Sequence, residues 1–597
     1  MRSFLRQALA SFAGLALFFA LGMGGAIALL VGIASRDTGP QVESGTILRF
    51  DLSSQIRETE PPTTLGRALT DDGPPVLTVR QATEAIEAAA QDDRIAGLWL
   101  AGNRGGGNDS GYAALQEVRQ ALQAFRESGK PIVAADSDWS EKEYYLGSVA
   151  DRIAIAPVGS LEWNGFSNQQ AFFAGALERL GIGIQVIRVG DYKSAVEPLT
   201  RQGYSPQNRQ QTQALLGDLW NEFRSAVGQS RDLSEQRLQA IADERGTLLP
   251  EQAREAGLID QVAYRDRVRA RLQTISGSTE PESFPHLGLS AYAQAPVVAE
   301  RQRDANNQIA LIRADGPIVS GEGTLQTIGS ERLVGQLRDL RQDEAVEAIV
   351  LRLNTPGGSA VASEAIWRQL KLARERKPVV VSMGNTAASG GYWIATGGST
   401  ILAQPTTVTG SIGVFGLLPN LQNLANDNGV TVETIETAEL ADITTVARPK
   451  TERELAVYQQ QVERIYDRFL QRVARSRELS RERVAQLARG RVWSGRAAQQ
   501  RGLVDRLGGV DAAIKTAAQA AELGQDWAVR VYPEQRSLEQ RILEALLGQT
   551  ELALELPLER RLMGQAWRRW RPEAALLATL NDPHGAYARL PFKLQIE

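Results

Sequence analysis

The sequence predicts an α/β protein of two tandem domains with mostly parallel sheets, preceded by an N-terminal transmembrane helix. The chain of 597 residues is too long for a single hydrophobic core. Short apolar runs alternate with helical patterns such as residues 363–375, which is typical of βαβ units. The segment beginning at Lys130-Pro131 is similar to the one beginning at Lys377-Pro378, and this offset of 247 residues indicates an internal repeat.

The N-terminal helix is predicted from residues 8–34, which are apolar except for Ser11. At about 1.5 Å per residue this run is long enough to cross a hydrocarbon layer of about 30 Å. Arg2 and Arg6 precede it, so residues 1–7 are expected in the cytoplasm and the body on the extracytoplasmic side of the cell membrane. The alternative is a cleaved signal peptide, whose apolar region is normally about 7–15 residues. The length favours a retained, single-pass anchor.

The domain boundaries follow from the repeat and from proline-rich breaks. The first repeat is predicted over residues 45–275, a linker rich in Pro, Ser and Gly over 276–306, the second repeat over 307–525, and a helical extension over 526–597. Within the extension, residues 567–571 are basic and aromatic, which suits either a membrane surface or a helix packed on a partner.

Composition limits the function classes. The net charge of −4 argues against nucleic-acid binding, and no segment fits the phosphate-binding pattern G-x-x-x-x-G-K-S/T, so no nucleotide is expected. The absence of cysteine excludes disulfides, thiolate catalysis and cysteine-ligated zinc. We predict no cofactor and no metal site.

Ser389 is the first candidate for chemistry. It lies in Asn-Thr-Ala-Ala-Ser-Gly-Gly-Tyr-Trp, directly after the apolar run at residues 378–383. Small neighbours allow a substrate backbone to approach a hydroxyl, and glycine leaves backbone N–H groups open to an incoming carbonyl. This setting is typical of a serine nucleophile.

A serine nucleophile needs a base, which is usually histidine. The two histidines, His286 and His584, lie in a Pro/Ser/Gly-rich stretch and in the C-terminal tail, so the sequence does not favour a Ser–His–Asp triad. A lysine whose pKa is lowered by burial is the other candidate. Lys193, which follows the strand-like run at residues 183–189, is the best match. The alternative is a solvated loop lysine.

The two repeats differ where the chemistry is expected. At the offset of 247, Ser389 falls opposite Lys142, so the first repeat has no matching nucleophile. The segment opposite Lys193, near residues 439–442, has no lysine. If Ser389 and Lys193 act together, a single active site is built across the contact between the repeats.

Four motifs resemble the long, tandem-repeat form of the signal peptide peptidase A family, also called protease IV. They are Asn-Thr-Pro-Gly-Gly-Ser at 354–359, Ala-Ala-Ser-Gly-Gly-Tyr-Trp at 387–393, Thr-Gly-Ser-Ile-Gly-Val at 409–414 and Asp-Tyr-Lys-Ser-Ala-Val-Glu-Pro at 191–198. The resemblance covers about residues 1–530. It implies two domains related in fold to Clp protease and crotonase, in a membrane-anchored serine endopeptidase. It also implies a homotetramer that degrades cleaved signal peptides and other apolar peptides.

The resemblance also implies residue roles. Ser389 is the nucleophile, Lys193 the general base, and Ser411 the residue that orients the lysine amine. The candidate oxyanion-hole donors are Gly358, its neighbour Gly357, and Gly390. Simpler interpretations are a tight turn at the Gly-Gly pair and a turn serine at position 411. For Lys193 to act as a base, the carboxylates of Asp191 and Glu197 must point away from it, since either would hold the amine charged.

Two other function classes remain open at this point. A crotonase-like acyl-CoA enzyme would share the fold and use glycine N–H groups, but it typically needs glutamates beside the thioester and no membrane anchor. A non-catalytic membrane scaffold is suggested by the missing serine of the first repeat, whereas the retained pair of Lys193 and Ser389 argues against it.

Overall fold

The computed structural model describes residues 40–60, 76–102, 108–280, 283–299, 305, 307–324, 326–533, 582 and 585–590. The predicted anchor at residues 8–34 lies outside these ranges. Within them, no helix is both long and apolar enough to cross a membrane.

The first repeat alternates strands and helices, as predicted. Its strands are β1 Thr46–Asp51, β2 Gln55–Arg57, β3 Val76–Thr78, β4 Ile95–Ala101, β5 Ile132–Trp139, β6 Arg152–Trp163, β7 Gly183–Val189, β8 Gly246–Leu248, β9 Gln261–Val262 and β10 His286–Gly288. Its helices are α1 Val79–Gln91, α2 Tyr112–Glu127, α3 Glu141–Gly147, α4 Ala174–Arg179, α5 Glu197–Thr200, α6 Pro206–Arg231, α7 Glu235–Glu244, α8 Pro250–Glu255, α9 Arg265–Ser276, α10 Leu289–Tyr292 and α11 Pro296–Ala299.

The second repeat has the same alternation. Its strands, with those of the extension, are β11 Asn307–Asp315, β12 Ile318–Val319, β13 Ile328–Gly329, β14 Val346–Thr355, β15 Gly357–Ser359, β16 Val379–Ala388, β17 Thr400–Ala403, β18 Val408–Gly410, β19 Val414–Asn420, β20 Val492–Ser494, β21 Arg506–Leu507, β22 Trp527–Tyr532 and β23 Ala586–Arg589. Its helices are α12 Ser330–Gln342, α13 Ala360–Arg374, α14 Gly390–Ala395, α15 Gln422–Asp427, α16 Glu452–Arg477, α17 Arg481–Leu487, α18 Gly495–Gln500 and α19 Val510–Ala520.

Each repeat is built on one large, mainly parallel sheet. The first sheet has the order β10-β1-β4-β5-β6-β8, with β9 also beside β6, and its antiparallel pair is β6–β8. The second has the order β20-β18-β16-β14-β11-β22, with β17 beside β16 and β21 beside β17, and its antiparallel pair is β18–β20. Central strands such as β16 read as continuous apolar runs because helices cover both faces of a parallel sheet. The prediction of tandem α/β domains is confirmed.

A third, mixed sheet corrects the expectation that the sheets are mostly parallel. Its order is β13-β12-β15-β23-β19-β7. Strand β7 comes from the first repeat and β23 from the C-terminal extension, and β19 lies antiparallel to both. This sheet therefore joins the two repeats and the extension.

Matching lysines show the internal repeat in space. Lys130 Nζ donates to two backbone carbonyls at and just after the end of α1, and Lys377 Nζ donates to two carbonyls in the corresponding places around α12. Each lysine also stands directly before the proline that leads into a central strand, β5 or β16. The two domains thus have the same local structure around these lysines, which are separated by the 247 residues of the sequence repeat.

Parts of the predicted linker and extension contribute to the sheets. Within the predicted linker, residues 286–288 form β10, which pairs parallel with β1. Residues 534–581 of the predicted helical extension lie outside the described residues. The described parts of 526–597 that have regular structure are strands: β22 pairs with β11, and β23 belongs to the third sheet.

A buried ion cluster ties the repeats together. Arg352 on β14 contacts Glu58 at 2.7 Å and Glu117 of α2 at 2.5 Å, and all three side chains are buried. Glu117 also accepts a hydrogen bond from the backbone N–H of Val510 at 2.7 Å. Burial raises the pKa of Glu117 to about 7, against the opposing effect of Arg352. The two repeats therefore contact each other through charged side chains that are buried at the interface.

Candidate active site

Ser389 lies at a sharp turn between β16 and α14. Its φ of 56° and ψ of −111° are unusual for a residue with a side chain, and such conformations cluster at functional sites. Its N–H donates to the carbonyl of Gly410 at 2.8 Å. A Cβ on Gly390 would lie 2.6 Å from Ser363 Oγ, so the turn needs a residue without a side chain directly after the serine.

Lys193 enters the same site from the first repeat, just beyond β7. The N–H of Tyr192 donates to the carbonyl of Arg489 at 3.0 Å, which holds the lysine turn against the second repeat. A Cβ on Gly490 would lie 2.6 Å from Lys193 Cβ, and one on Gly413 would lie 3.2 Å from Lys193 Cδ. The lysine stem therefore runs through a narrow passage that two glycines leave open.

The lysine amine, the serine hydroxyl and Ser411 meet in a fully buried cluster. Lys193 Nζ lies 2.6 Å from Ser389 Oγ, and 3.0 Å from both the carbonyl oxygen and Oγ of Ser411. The relative exposure of each of the three residues is 0%. A neutral amine has two N–H groups and one lone pair, which suits two bonds donated to Ser411 and one accepted from the Ser389 hydroxyl.

Burial lowers the pKa of Lys193 well below its usual value. The nearby carboxylates have other partners: Asp191 pairs with Arg489, and Glu197 accepts hydrogen bonds from the N–H of Ser205 and from Asn208 Nδ2. Desolvation of the amine therefore goes uncompensated, and the uncharged form is favoured.

Ser411 is held in its own strained turn. Its φ is 49°, and its N–H donates to the carbonyl of Arg491 at 2.7 Å. This turn directs both the carbonyl and the hydroxyl of one residue to the lysine amine. Ser411 therefore contacts Lys193 twice in addition to forming a turn, which a simple turn serine would not do.

The three candidate oxyanion glycines lie together beside the serine. Gly357 has a φ of 93°, and a Cβ on it would lie 2.9 Å from the backbone nitrogen of Gly390. The N–H of Gly357 already donates to Thr355 Oγ1 at 3.1 Å. Gly390 N–H belongs to the first turn of α14, where a helix supplies no internal acceptor. Gly390 thus offers a more available N–H than Gly357, whose N–H is already bonded and which leaves space beside Gly390.

Comparisons with known proteins identify the family of the chain. A family profile described as "Peptidase family S49" matches residues 124–278 and 371–524, once in each repeat and over more than half of the chain. The chain belongs to peptidase family S49. A "Clp protease" profile matches residues 302–407 of this S49 peptidase, in agreement with its second α/β domain.

Relatives of the S49 peptidase match along most of their length. It is 34% identical to Protease 4 of Salmonella typhi, over 84% of this chain and 82% of that protein. It is 32% identical to Protease 4 of Haemophilus influenzae, over 84% and 83%. It is also 32% identical to the chloroplastic serine protease SPPA of Arabidopsis thaliana, over 81% and 70%. The resemblance to the long signal peptide peptidase A form is confirmed, and the chain is a serine-type endopeptidase. The acyl-CoA and scaffold alternatives are set aside.

Sequence reasoning missed Gln211, which connects the two repeats beside Lys193. Its Nε2 donates to the carbonyl of Tyr192 at 3.0 Å and to Ser194 Oγ at 2.8 Å, on both sides of the lysine. Its Oε1 accepts from the N–H of Val492 at 3.3 Å, next to the Arg491 carbonyl that holds Ser411. Gln211 is buried on α6, and nothing in its sequence neighbourhood marks it as functional.

The matching position in the first repeat of the S49 peptidase shifts by one residue. Tyr144 donates to the carbonyl of Leu258, and Tyr392 donates to the carbonyl of Leu503, so these tyrosines are counterparts. Counting back from them, Ser389 falls opposite Glu141 rather than Lys142. The helix starts give a shift of two residues instead, because Ser140 directly precedes α3 as Ser389 directly precedes α14.

The side chain of Glu141 binds a neighbouring loop of the first repeat. Its buried carboxylate accepts hydrogen bonds from the N–H groups of Asn164 at 2.8 Å and Gly165 at 2.9 Å. Burial raises the pKa of Glu141 to about 7. In the first repeat, a carboxylate that holds a loop thus lies at or directly beside the position that matches Ser389.

Proposed function

We propose that Ser389 and Lys193 form a Ser/Lys catalytic dyad, shared between the repeats, that hydrolyses cleaved signal peptides and other apolar peptides. The observation that carries the proposal is the 2.6 Å separation of Lys193 Nζ and Ser389 Oγ in a buried cluster. We further propose that residues 8–34 anchor the enzyme, with its body on the extracytoplasmic side.

In the first step, the neutral amine of Lys193 takes the proton of the Ser389 hydroxyl while Oγ adds to the substrate carbonyl. Ser411 keeps the amine aligned because both of its oxygens accept N–H bonds from Nζ. The N–H groups of Gly390 and Gly358 stabilise the negative charge on the former carbonyl oxygen. Donors arranged in advance suit this role, since they need no reorganisation during the reaction.

In the second step, the Lys193 ammonium gives its proton to the leaving amine and the peptide bond breaks. An acyl group remains on Ser389 Oγ. Water then loses a proton to the neutral Lys193 and adds to the acyl carbonyl. As the acid leaves, the Lys193 ammonium returns that proton to Ser389 Oγ, which restores the free serine. One lysine thus acts as base and acid in both halves of the reaction.

Self-association is supported by an exposed apolar loop after α15. The relative exposure of Ile435 is 98%, and Val430 and Val432 are also exposed. Apolar side chains grouped on a surface favour protein contacts. We propose that this loop contributes to subunit contacts in the homotetramer that the family resemblance implies.

The test is hydrolysis of an apolar fluorogenic peptide by wild type, Ser389→Ala and Lys193→Met. We expect both variants to lose activity while they remain folded by circular dichroism. Ser399→Ala and Lys371→Met are matched controls outside the site and should keep it. Activity retained by Ser389→Ala would refute the dyad.

A further inference from the structure

Strands β14 and β16 change register directly before the proposed active site. Residues 384–386 of β16 lie opposite Asn354 of β14 alone, because the pairing of the two strands shifts there. Such a bulge interrupts the ladder of backbone hydrogen bonds and bends the bulged strand. Since β16 leads directly into the Ser389 turn, the contacts that hold this bulge also determine where Ser389 Oγ lies.

The side chain of Asn354 bonds the backbone at this bulge. Its Oδ1 accepts a hydrogen bond from the N–H of Thr386 at 3.1 Å. Thr386 lies three residues before Ser389, so this bond fixes the end of the strand. Gly384 leaves the space for the contact, because a Cβ on it would lie 3.1 Å from Asn354 Cβ. Asn354 therefore holds the strand that carries the proposed nucleophile.

The other end of the Asn354 amide bonds Asp315. Its Nδ2 donates to Asp315 Oδ1 at 2.8 Å, and these two residues are the last pair of the ladder between β11 and β14. Just after them, the N–H of Gly316 donates to the carbonyl of Asn354 at 2.9 Å. The two chains then continue into β12 and β15, which pair through Ile318 and Gly358. The amide thus also fixes the start of the segment that carries the candidate oxyanion glycines.

The first repeat contacts the same network. Thr59 Oγ1 donates to Asp315 Oδ2 at 3.1 Å. Its neighbour Glu58 pairs with Arg352, which lies two residues before Asn354 on β14. The carboxylate of Asp315 therefore accepts one hydrogen bond from each repeat, and the docking of the repeats is connected to Asn354.

We propose that Asn354 is a positioning residue that sets the distance between the Ser389 nucleophile and the oxyanion glycines. One amide group bonds the strand before Ser389 and also the strand pair before Gly357 and Gly358, so it fixes both sides of the place where a substrate carbonyl is attacked. A misplacement of about 1 Å between such groups costs about 10²-fold in rate. This inference rests on the proposed function, since it takes Ser389 as the nucleophile.

The two partners of Asn354 require one acceptor and one donor. An aspartate at position 354 still accepts from the N–H of Thr386, but it turns a second carboxylate toward Asp315. Exchanging the two residues, in Asn354→Asp with Asp315→Asn, reverses the direction of their hydrogen bond. The introduced amide then donates to the introduced carboxylate, and its oxygen still accepts from Thr59.

The experiment measures kcat and KM of the full chain for an apolar fluorogenic peptide, with the folded fraction of each variant taken from urea unfolding. We expect kcat per folded molecule of Asn354→Asp to fall about 10²-fold with KM within about threefold of wild type, since the lost bonds align the transition state. The double exchange should be at least about tenfold more active than the single variant. Asn307→Asp is the matched control, because it removes an amide donor to the carbonyl of Asp526 at the other end of β11, and it should keep the wild-type kcat.

An unchanged kcat per folded molecule in Asn354→Asp would overturn the assignment and leave a contribution to stability alone, as would a double exchange no more active than the single variant. If Asn354→Asp does not fold, Asn354→Ala removes both bonds without adding a charge and should lose at least about tenfold in kcat, and an unchanged kcat there overturns the assignment equally. Ser389→Ala separates the two proposals. Hydrolysis by Ser389→Ala refutes the dyad, whereas an inactive Ser389→Ala together with wild-type kcat in Asn354→Asp refutes the role of Asn354 alone.

Discussion

Lys193 Nζ lies 2.6 Å from Ser389 Oγ, although the two residues are 196 positions apart and belong to different repeats. Neither repeat contains both groups, so the site exists only when the repeats dock. The docking surface carries buried charge in the Arg352 cluster and a hydrogen-bond bridge at Gln211. Activity should therefore depend on contacts remote from the reacting atoms.

The rate should follow the ionisation of Lys193. Because burial lowers its pKa well below the usual value, kcat/KM should rise with pH through a single ionisation below 10.5 and then level off. Lys193→Arg keeps a positive charge at all accessible pH values and should lose about 10²–10⁴-fold in rate. A pH–rate profile of both enzymes tests this. The same rising profile in Lys193→Arg would assign the ionisation to another group.

The lowered pKa of Lys193 should also make the free energy of unfolding depend on pH. Between the lowered pKa and 10.5, the native lysine is neutral while the unfolded one is charged, so the unfolded state binds more protons and stability rises with pH. The slope is about 1.36 kcal/mol per pH unit. Lys193→Met removes this cost, and its advantage over wild type should grow as pH falls through that window. Urea unfolding at several pH values measures it, with Lys371→Met as the exposed control. An advantage independent of pH would contradict the buried, neutral lysine.

Gly357 should matter through the space it leaves. In Gly357→Ala the new methyl group would lie 2.1 Å from the Ala588 oxygen and 2.9 Å from the Gly390 nitrogen. We expect kcat to fall by about 10²–10³, the effect of losing one oxyanion donor. Gly429→Ala is matched because its φ is also positive, at 75°, but nothing lies within 4 Å of its Cβ. Gly429→Ala should therefore show only the effect of placing alanine at a positive φ, and its kcat should equal that of wild type. Equal kcat in both variants would mean that Gly357 only forms a turn.

Local patterns in the sequence were sufficient to predict the tandem α/β repeats. A central strand that is buried on both faces needs apolar residues along its whole length, so it appears as an apolar run. They also singled out Ser389 and Lys193, which the structure brings together, because small residues and a rare lysine stood out. The third sheet was missed because its strands come from three distant parts of the chain and some have only two or three residues. Such pairing depends on the docked repeats and leaves no local pattern.

The Arg352 cluster should stabilise the docked state. Arg352→Met leaves Glu58 and Glu117 buried without their cation, which typically costs about 3–5 kcal/mol. Arg468→Met removes a partly exposed contact with Glu364 and should cost less than about 1 kcal/mol. Urea unfolding measures both, and peptide hydrolysis should fall in parallel for Arg352→Met. Loss of stability below 1 kcal/mol in Arg352→Met would show that the cluster forms without net benefit to docking.

Gln211 should act as a positioning residue for Lys193. It touches the residues on both sides of the lysine and the strand next to the Ser411 turn. In Gln211→Glu, a carboxylate beside the lysine turn favours the charged amine, so the midpoint of the pH–rate profile should move upward. In Gln211→Leu the bridge is lost without added charge, so kcat should fall while that midpoint stays nearer to wild type.

The direction in which the midpoint of the pH–rate profile moves distinguishes a positioning role of Gln211 from a contribution to stability alone. Gln213→Glu, at an exposed position on the same helix, is the matched control and should leave the profile unchanged. If Gln211→Glu lowers the rate equally at every pH, the residue contributes to folding alone. If its midpoint rises while the maximal rate at high pH is largely restored, Gln211 acts on the protonation of Lys193, because a higher pH again supplies the neutral amine.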